Sequence, residues 1–520
     1  MKQVINLFFP SFSSFKNVIY ETTNTSISRE RFIDFLKVFG LLIIIFNTKY
    51  LLELEESAGE LLIINHSFTE SYKTTFTWYT TGISLFFFST GFTNKIAWYS
   101  NVGKDGSQWK FLADRVNSFM GPVLVWITII TFLLNLFSKE LNFPLYLTSQ
   151  EDGIITLTEF LMWPLWIVST YMVVVIFCPL TIYLHKKNPY LTTVLLIFST
   201  IAIDTIDFYI SLSYLKLFNY LLFWLTIHQL GYFFADGKMF EFKSSIFVTV
   251  SLVSYIYLHY KFATSNEFMS VSGYRLTSLS NEDPPTIYYL ISSIGLLSIL
   301  LFFRKSFEAI LNGKKTWLFF SFIHSNIYTI FLWHVFIYFF VYIFNLQTYL
   351  YPTLIFVTVL FFGNYERKIF KLSTKLVQRV NPLQPWPTPI KAKLSYGNFI
   401  LSWVSSLLIL VGILQITLGG VGISGFFSLR DFYFLTSNTF EAFIKLFTGV
   451  VLLNVTIRKV DLKNRILLFA AIIQVGTLVL RNYQYSTITT FELYFSLSLI
   501  ALFIALVILN RNDTNNKIVK

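Results

Sequence analysis

Six histidines stand in this chain. Three of them, His228, His324 and His334, fall within long apolar runs. An ionisable side chain at membrane depth is costly and usually faces the interior of a helix bundle or a wet cavity. These three are therefore the first candidates for acid–base work, since a positioned imidazole can take the proton of a hydroxyl nucleophile. Taken singly, each is as readily a neutral ring tied to a neighbouring helix, and convergence on one cavity would favour chemistry. His66 and His185 fall in loops, where exposure is the default. Read as sharing one helix, His324 and His334 stand about 15 Å apart along its axis and roughly 80° around it. They could line one vertical cavity but cannot hold one metal ion. No His, Cys or carboxylate pair has a zinc-like helical spacing. There is no glycine-rich phosphate loop and no Gly-x-Ser-x-Gly elbow. The one cysteine, Cys178, lies in an apolar run and excludes an intrachain disulfide.

The elements that must position these residues are membrane spans. Apolar residues make up 54% of the 520 and charged residues only 13%, where a soluble globule carries about a quarter charged. Each span takes about 20 apolar residues, so a dozen or more are expected. The net charge of +12 would suit nucleic acid, but the Lys and Arg residues fall in alternate short loops, which is the positive-inside pattern and makes the charge topological. The first span, about 36–52, follows Lys2, Lys16, Arg29, Arg31 and Lys37. It leads to Glu53, Glu55, Glu56, Glu60 and Glu70. The loop carrying Lys95, Lys104, Lys110 and Arg115 is inside, and the one carrying Glu140, Glu151, Asp152 and Glu159 is outside. Lys186 and Lys187 are inside again. The alternation continues to a ninth span, about 317–344, and a short tenth, about 349–362.

A basic, proline-rich stretch follows, with Arg367, Lys368, Pro382, Pro385, Pro387 and Pro389, which disfavours helix and suits a cytoplasmic linker. Four more apolar runs complete about fourteen spans with both termini cytoplasmic. The expected organisation is a transmembrane domain over 1–363, a linker over 364–396 and a C-terminal transmembrane region over 397–520. The first thirty residues lack a signal-peptide pattern, so entry is expected through the first span.

Short strings along this map carry a family pattern. Arg31-Phe-Ile-Asp34-Phe-Leu-Lys37 leads into the first span. The second span reads Leu85-Phe-Phe-Phe-Ser-Thr-Gly91-Phe-Thr-Asn94, then Trp98. Phe111-Leu-Ala-Asp-Arg115, Pro122, Pro164-Leu-Trp166 and Pro179 follow. Later come His228-Gln-Leu-Gly231-Tyr, Asp236-Gly237, Pro284-Pro-Thr286 and Leu332-Trp333-His334. In order and spacing, from about Arg31 to Phe362, the chain resembles the acyltransferase 3 family of integral-membrane acyl-CoA-dependent O-acyltransferases, the O-antigen acetylase type.

The resemblance implies an all-α, polytopic bundle of about ten helices, with about four extra helices after it. It implies a multi-pass protein of the inner (plasma) membrane and transfer of an acyl group such as acetyl. The group passes from cytoplasmic acyl-CoA, a co-substrate rather than a bound cofactor, to a hydroxyl of a carbohydrate or lipid acceptor. Lys37 and Arg115 would meet the CoA phosphates, and Trp166 and His228 would line the substrate site. Two positions depart from the pattern. The family histidine eleven residues after Lys37 is Thr48, and a second arginine expected three residues after Arg115 is Ser118. A Thr hydroxyl cannot act as a base near neutral pH, so His334 is the expected base, with Thr48 at the catalytic position. The alternative is a catalytically inactive relative serving transport or cell-envelope assembly, because kinship of fold does not itself deliver a reaction.

Overall fold

Where no water is at hand, a chain must satisfy its backbone polar groups internally. Long apolar runs do this as helices, and the computed structural model is helical accordingly. It describes residues 30–57, 60–65, 77, 79–104, 106–140, 146–149, 153–162, 164–210, 213–264, 285–347, 349–362, 396–419, 439–458, 463–485 and 496–508. His66, most of the expected external loop after Lys261 and nearly all of the expected linker over 364–396 lie outside these residues. The chain gathers into two compact units. The first holds Met1–Trp98, Val125–Leu157 and Val173–Arg367; the second holds Tyr99–Leu124, Thr158–Met172 and Lys368–Lys520.

The elements in chain order are α1 (Arg31–Leu51), β1 (Leu52–Ser57), β2 (Glu60–Asn65), α2 (Gly82–Val102), α3 (Gln108–Glu140), β3 (Tyr146–Ser149), β4 (Gly153–Thr156), α4 (Leu157–Met162), α5 (Leu165–Lys187), α6 (Pro189–Ile210) and α7 (Ser213–Ala235). After a 3-10 turn come α8 (Ser244–Thr264), α9 (Ile287–Phe302), α10 (Arg304–Leu311), α11 (Lys314–Ser325), α12 (Ile327–Ile343) and α13 (Leu350–Phe362). The C-terminal region supplies α14 (Tyr396–Gly419), α15 (Thr439–Arg458), α16 (Lys463–Tyr485) and α17 (Ser496–Ile508).

Among the described residues, α5 and residues 189–206 of α6 are each long and apolar enough to cross a membrane, and two bent pairs qualify if each counts as one span. α6 shows its solvent plainly. Val194, Leu195 and Phe198 are all more than half exposed, a contiguous apolar face that suits lipid.

The expected ninth span is not one helix. α11 and α12 meet at a 73° bend, so His324 and His334 lie on different helices and do not line a single helix face. Asn326 is the cause. Its side-chain Nδ2 donates to the Phe322 carbonyl at 2.8 Å, taking the acceptor that its own backbone N–H would use in a continuing helix. That N–H turns to the Ile323 carbonyl instead. A side chain inserted in the backbone ladder is a recognised source of kinks.

The loops read as external are not plain loops. β1 and β2 form an antiparallel hairpin, β3 and β4 form another, and β2 pairs with β3 in parallel, Leu61 opposite Leu147. This small four-stranded sheet was not expected in an all-α bundle. It brings the β1–β2 and β3–β4 hairpins side by side within the first unit. The register explains it: Leu61, Leu62, Ile63 and Ile64 supply the extended apolar run at the centre of the sheet.

Two glycine contacts bring α2 against its neighbours. A Cβ at Gly40 would stand 2.5 Å from the Gly82 carbonyl, and one at Gly91 would stand 2.1 Å from the His228 carbonyl. Small residues allow such close backbone approach between membrane helices. Because the backbones are this close, three successive α2 side chains, about 100° apart around the axis, reach three partners. Thr93 meets Lys37 on α1 at 3.5 Å. Asn94 meets His228 on α7 at 3.1 Å. Lys95 meets Asp236 just beyond α7.

In the second unit, Leu401 and Leu408 of α14, Leu452 of α15, Leu467 of α16 and Phe503 of α17 form one core. Gly412 and Gly449 let α14 and α15 pack backbone to backbone. Asn117 and Asn454 exchange two amide hydrogen bonds, of 2.8 and 3.0 Å. The C-terminal helices thus share a unit with the first half of α3.

Candidate active site

α1 rises from its polar start at Arg31 through an apolar middle, and Thr48 lies near its far end. There Thr48 meets His334, a buried residue of α12: Oγ1 and Nε2 are 3.3 Å apart, and both side chains are shut from solvent. Nδ1–H of His334 donates to the Phe331 carbonyl one turn earlier. A carbonyl can only accept, so a neutral ring held this way carries its lone pair on Nε2, facing the threonine. The Thr48 hydroxyl hydrogen then has two acceptors to choose between, Nε2 and the Ile44 carbonyl at 3.0 Å. Tyr351 on α13 donates its hydroxyl to the His334 carbonyl at 3.2 Å and ties that turn of α12 in place. The two residues singled out as catalytic are therefore neighbours.

Lys37 stands eleven residues before Thr48. Eleven residues are close to three helical turns, so both project from nearly the same face of α1, about 16 Å apart along it. Lys37 is half-buried beside Thr93. His228 is fully buried and takes a hydrogen bond from Asn94 through Nε2. Its Nδ1 is buried with no protein partner among the described residues. Arg115 and Trp166 belong to the second unit. The Arg115 guanidinium lies 5.8 Å over the Phe111 ring, with Nε buried. The Ser118 hydroxyl, where a second arginine was expected, donates to the Arg115 carbonyl at 2.6 Å. Trp166 is buried in the first turn of α5.

Three features escaped the sequence. His185 is not an exposed loop residue. It lies in the last turn of α5 and is 2% exposed. Gln229 donates to its Nδ1 at 2.7 Å, so Nε2–H donates to Asp236 at 2.9 Å. Asp236 also holds Lys95, itself buried. Burial raises the Asp236 pKa, but the hydrogen bonds from Lys95 and His185 outweigh it and hold the carboxyl below its ordinary value. His324 closes on Asp34 at 3.0 Å, so it serves the start of α1 rather than the His334 region. Arg31 reaches the Leu311 carbonyl at 3.0 Å and Trp317 at 4.9 Å. Asn94, Gln229 and Asp236 did stand in the family strings; Lys95 and His185 looked like ordinary basic-side residues.

A family model described as an acyltransferase domain, acyltransferase 3, matches residues 30–364. This chain belongs to the acyltransferase 3 family. No curated protein and no solved structure matches it. The acyltransferase 3 match begins at the residue before α1 and ends just after α13. It thus takes in the Thr48–His334 pair, the Lys95–Asp236–His185 cluster and both bent helix pairs, and it stops short of α14. Membership assigns an acyltransferase-type function to a membrane protein. At position 48, where the resemblance implied a histidine, this chain has a hydroxyl 3.3 Å from the His334 ring.

Proposed function

We propose that this protein takes an acyl group from cytoplasmic acyl-CoA and transfers it to a hydroxyl of a carbohydrate or lipid acceptor. The observation that carries this reading is the buried His334, its lone pair aimed at the one position of α1 that the family reserves for its histidine. General-base help requires a base within hydrogen-bonding reach of the proton it removes. His334 supplies the imidazole from a different helix. Lys37 and Arg115 are the cations for CoA phosphates, and Trp166 and His228 the further substrate contacts. The proposed frame is a ten-helix core with four added C-terminal helices, in the inner membrane with both termini cytoplasmic. The alternating basic loops support that orientation.

The test is transfer of label from [¹⁴C]acetyl-CoA to membrane acceptors by membranes holding the full chain. His334→Gln keeps a polar amide in the site but no base, and it should lower transfer by about 10²–10⁴-fold. The hydroxyl at position 48 favours a second reading, an inactive relative acting in transport or envelope assembly. Binding of acetyl-CoA with no transfer by the native chain would support that reading and end the first.

A further inference from the structure

We infer that Thr48 is itself the first acyl acceptor, so that transfer passes through an ester on its Oγ1 with His334 serving both halves of the reaction. This rests on the acyltransferase reading and deepens it. A nucleophilic hydroxyl is recognised by a base within reach and a third group that orients the base. All three are present. Thr48 Oγ1 is the hydroxyl, His334 Nε2 the base at 3.3 Å, and the Phe331 carbonyl the group that holds Nδ1–H and so fixes the tautomer. Such spacings are often looser before substrate is bound.

Burial adds a reason. His334 is fully buried and Thr48 is 4% exposed, which shields an ester from water until an acceptor hydroxyl arrives. Position also adds one. Thr48 shares a face of α1 with Lys37, about 16 Å away, a separation on the scale of the pantetheine arm that joins the CoA phosphates to the thioester.

In the first half, the Thr48 Oγ1 proton passes to His334 Nε2 and Oγ1 bonds to the thioester carbonyl carbon. The carbon–sulfur bond breaks, and the CoA sulfur leaves with the proton from Nε2. In the second half, the acceptor hydroxyl gives its proton to Nε2 and its oxygen bonds to the ester carbonyl carbon. The bond to Oγ1 breaks and Thr48 recovers the proton. The sum is acyl-CoA plus alcohol giving CoA plus ester, with no other reactant.

An acyl-enzyme makes a prediction that needs no knowledge of the acceptor. In its absence, the purified full chain should move radiolabelled free CoA into unlabelled acyl-CoA, with acetyl-, butyryl- and palmitoyl-CoA as the probes. Thr48→Val, which keeps the shape and removes the hydroxyl, should cut this exchange by roughly 100-fold or more, while Thr48→Ser should stay within about tenfold of native. A peptide containing Thr48 should carry the acyl mass in the native chain. Transfer from acyl-CoA to membrane acceptors without CoA exchange would overturn the acyl-threonine and leave the acyltransferase standing, as would native-level transfer by Thr48→Val. Neither exchange nor transfer with any of the three probes would overturn both.

Discussion

Thr48 and His334 show how little of a buried pair's behaviour resides in one side chain. The His334 ring is oriented by the Phe331 carbonyl, and its backbone carbonyl takes a hydrogen bond from Tyr351. Tyr351→Phe removes a single donor and should cost about 1 kcal/mol of stability, read as a small fall in the thermal midpoint in detergent. Acyl transfer should fall far less than in His334→Gln, because the ring keeps its base. Asp236 is a different case, since it answers to two donors. Asp236→Asn leaves Lys95 buried without its counter-charge. Removing one partner of a buried pair costs about 3–5 kcal/mol, and the partial exposure of Asp236 puts the expectation at the low end. The pH dependence has a definite sign. The Asp236 pKa is lowered on folding, so its contribution is complete above the unfolded value, about 3.9, and is lost as pH falls through the folded one. Native protein should lose stability on acidification over that window, and Asp236→Asn should lack that part of the loss.

At the scale of elements, the decisive device is the backbone contact between α2 and its neighbours. Gly91→Ala would set a methyl 2.1 Å from the His228 carbonyl. That carbonyl is backbone and cannot swing aside, so α2 and α7 must separate. Overpacking of this kind costs about 1–3 kcal/mol. It should also weaken the Asn94–His228 and Lys95–Asp236 contacts, which depend on the same approach. Gly476→Ala in α16 is the control, because a Cβ there meets nothing within 4 Å; it should be neutral or stabilise by about 0.5–1 kcal/mol, as alanine does over glycine in a helix. Thermal midpoints of the two variants in the same detergent check the pair. The α11–α12 bend belongs to this scale as well. The apolar run across 317–344 gives no hint of it, because an Asn in a membrane helix can equally serve as a polar tie between helices.

For the molecule as a whole, the paired hairpins make orientation measurable. Single cysteines, one scanned through β1 and one through β3, should be labelled by a membrane-impermeant thiol reagent from the same side, and under the proposed topology that side is external. Background should be low, since the native Cys178 is fully buried. Labelling of the two strands from opposite sides would contradict the sheet. The membrane character, the helical class and the family were legible from apolar runs and from short strings such as Leu332-Trp333-His334, because hydropathy and motif spacing are local properties of the chain. Alternating loop charge likewise put the two hairpin loops on one side, though not as a sheet, since strand pairing between residues 86 positions apart leaves no local trace. Thr48 and His334 were each visible as chemistry, but the 3.3 Å between them joins residues 286 positions apart. Only the packing of α1 against α12 brings them together. The same holds for His185: its sequence neighbours Lys186 and Lys187 read as a wet loop, yet it is buried, with Gln229 of α7 and Asp236 just beyond α7 reaching it. Composition and spacing determined what solvent this chain lives in and which side chains could react; close packing of helices decided which of them meet.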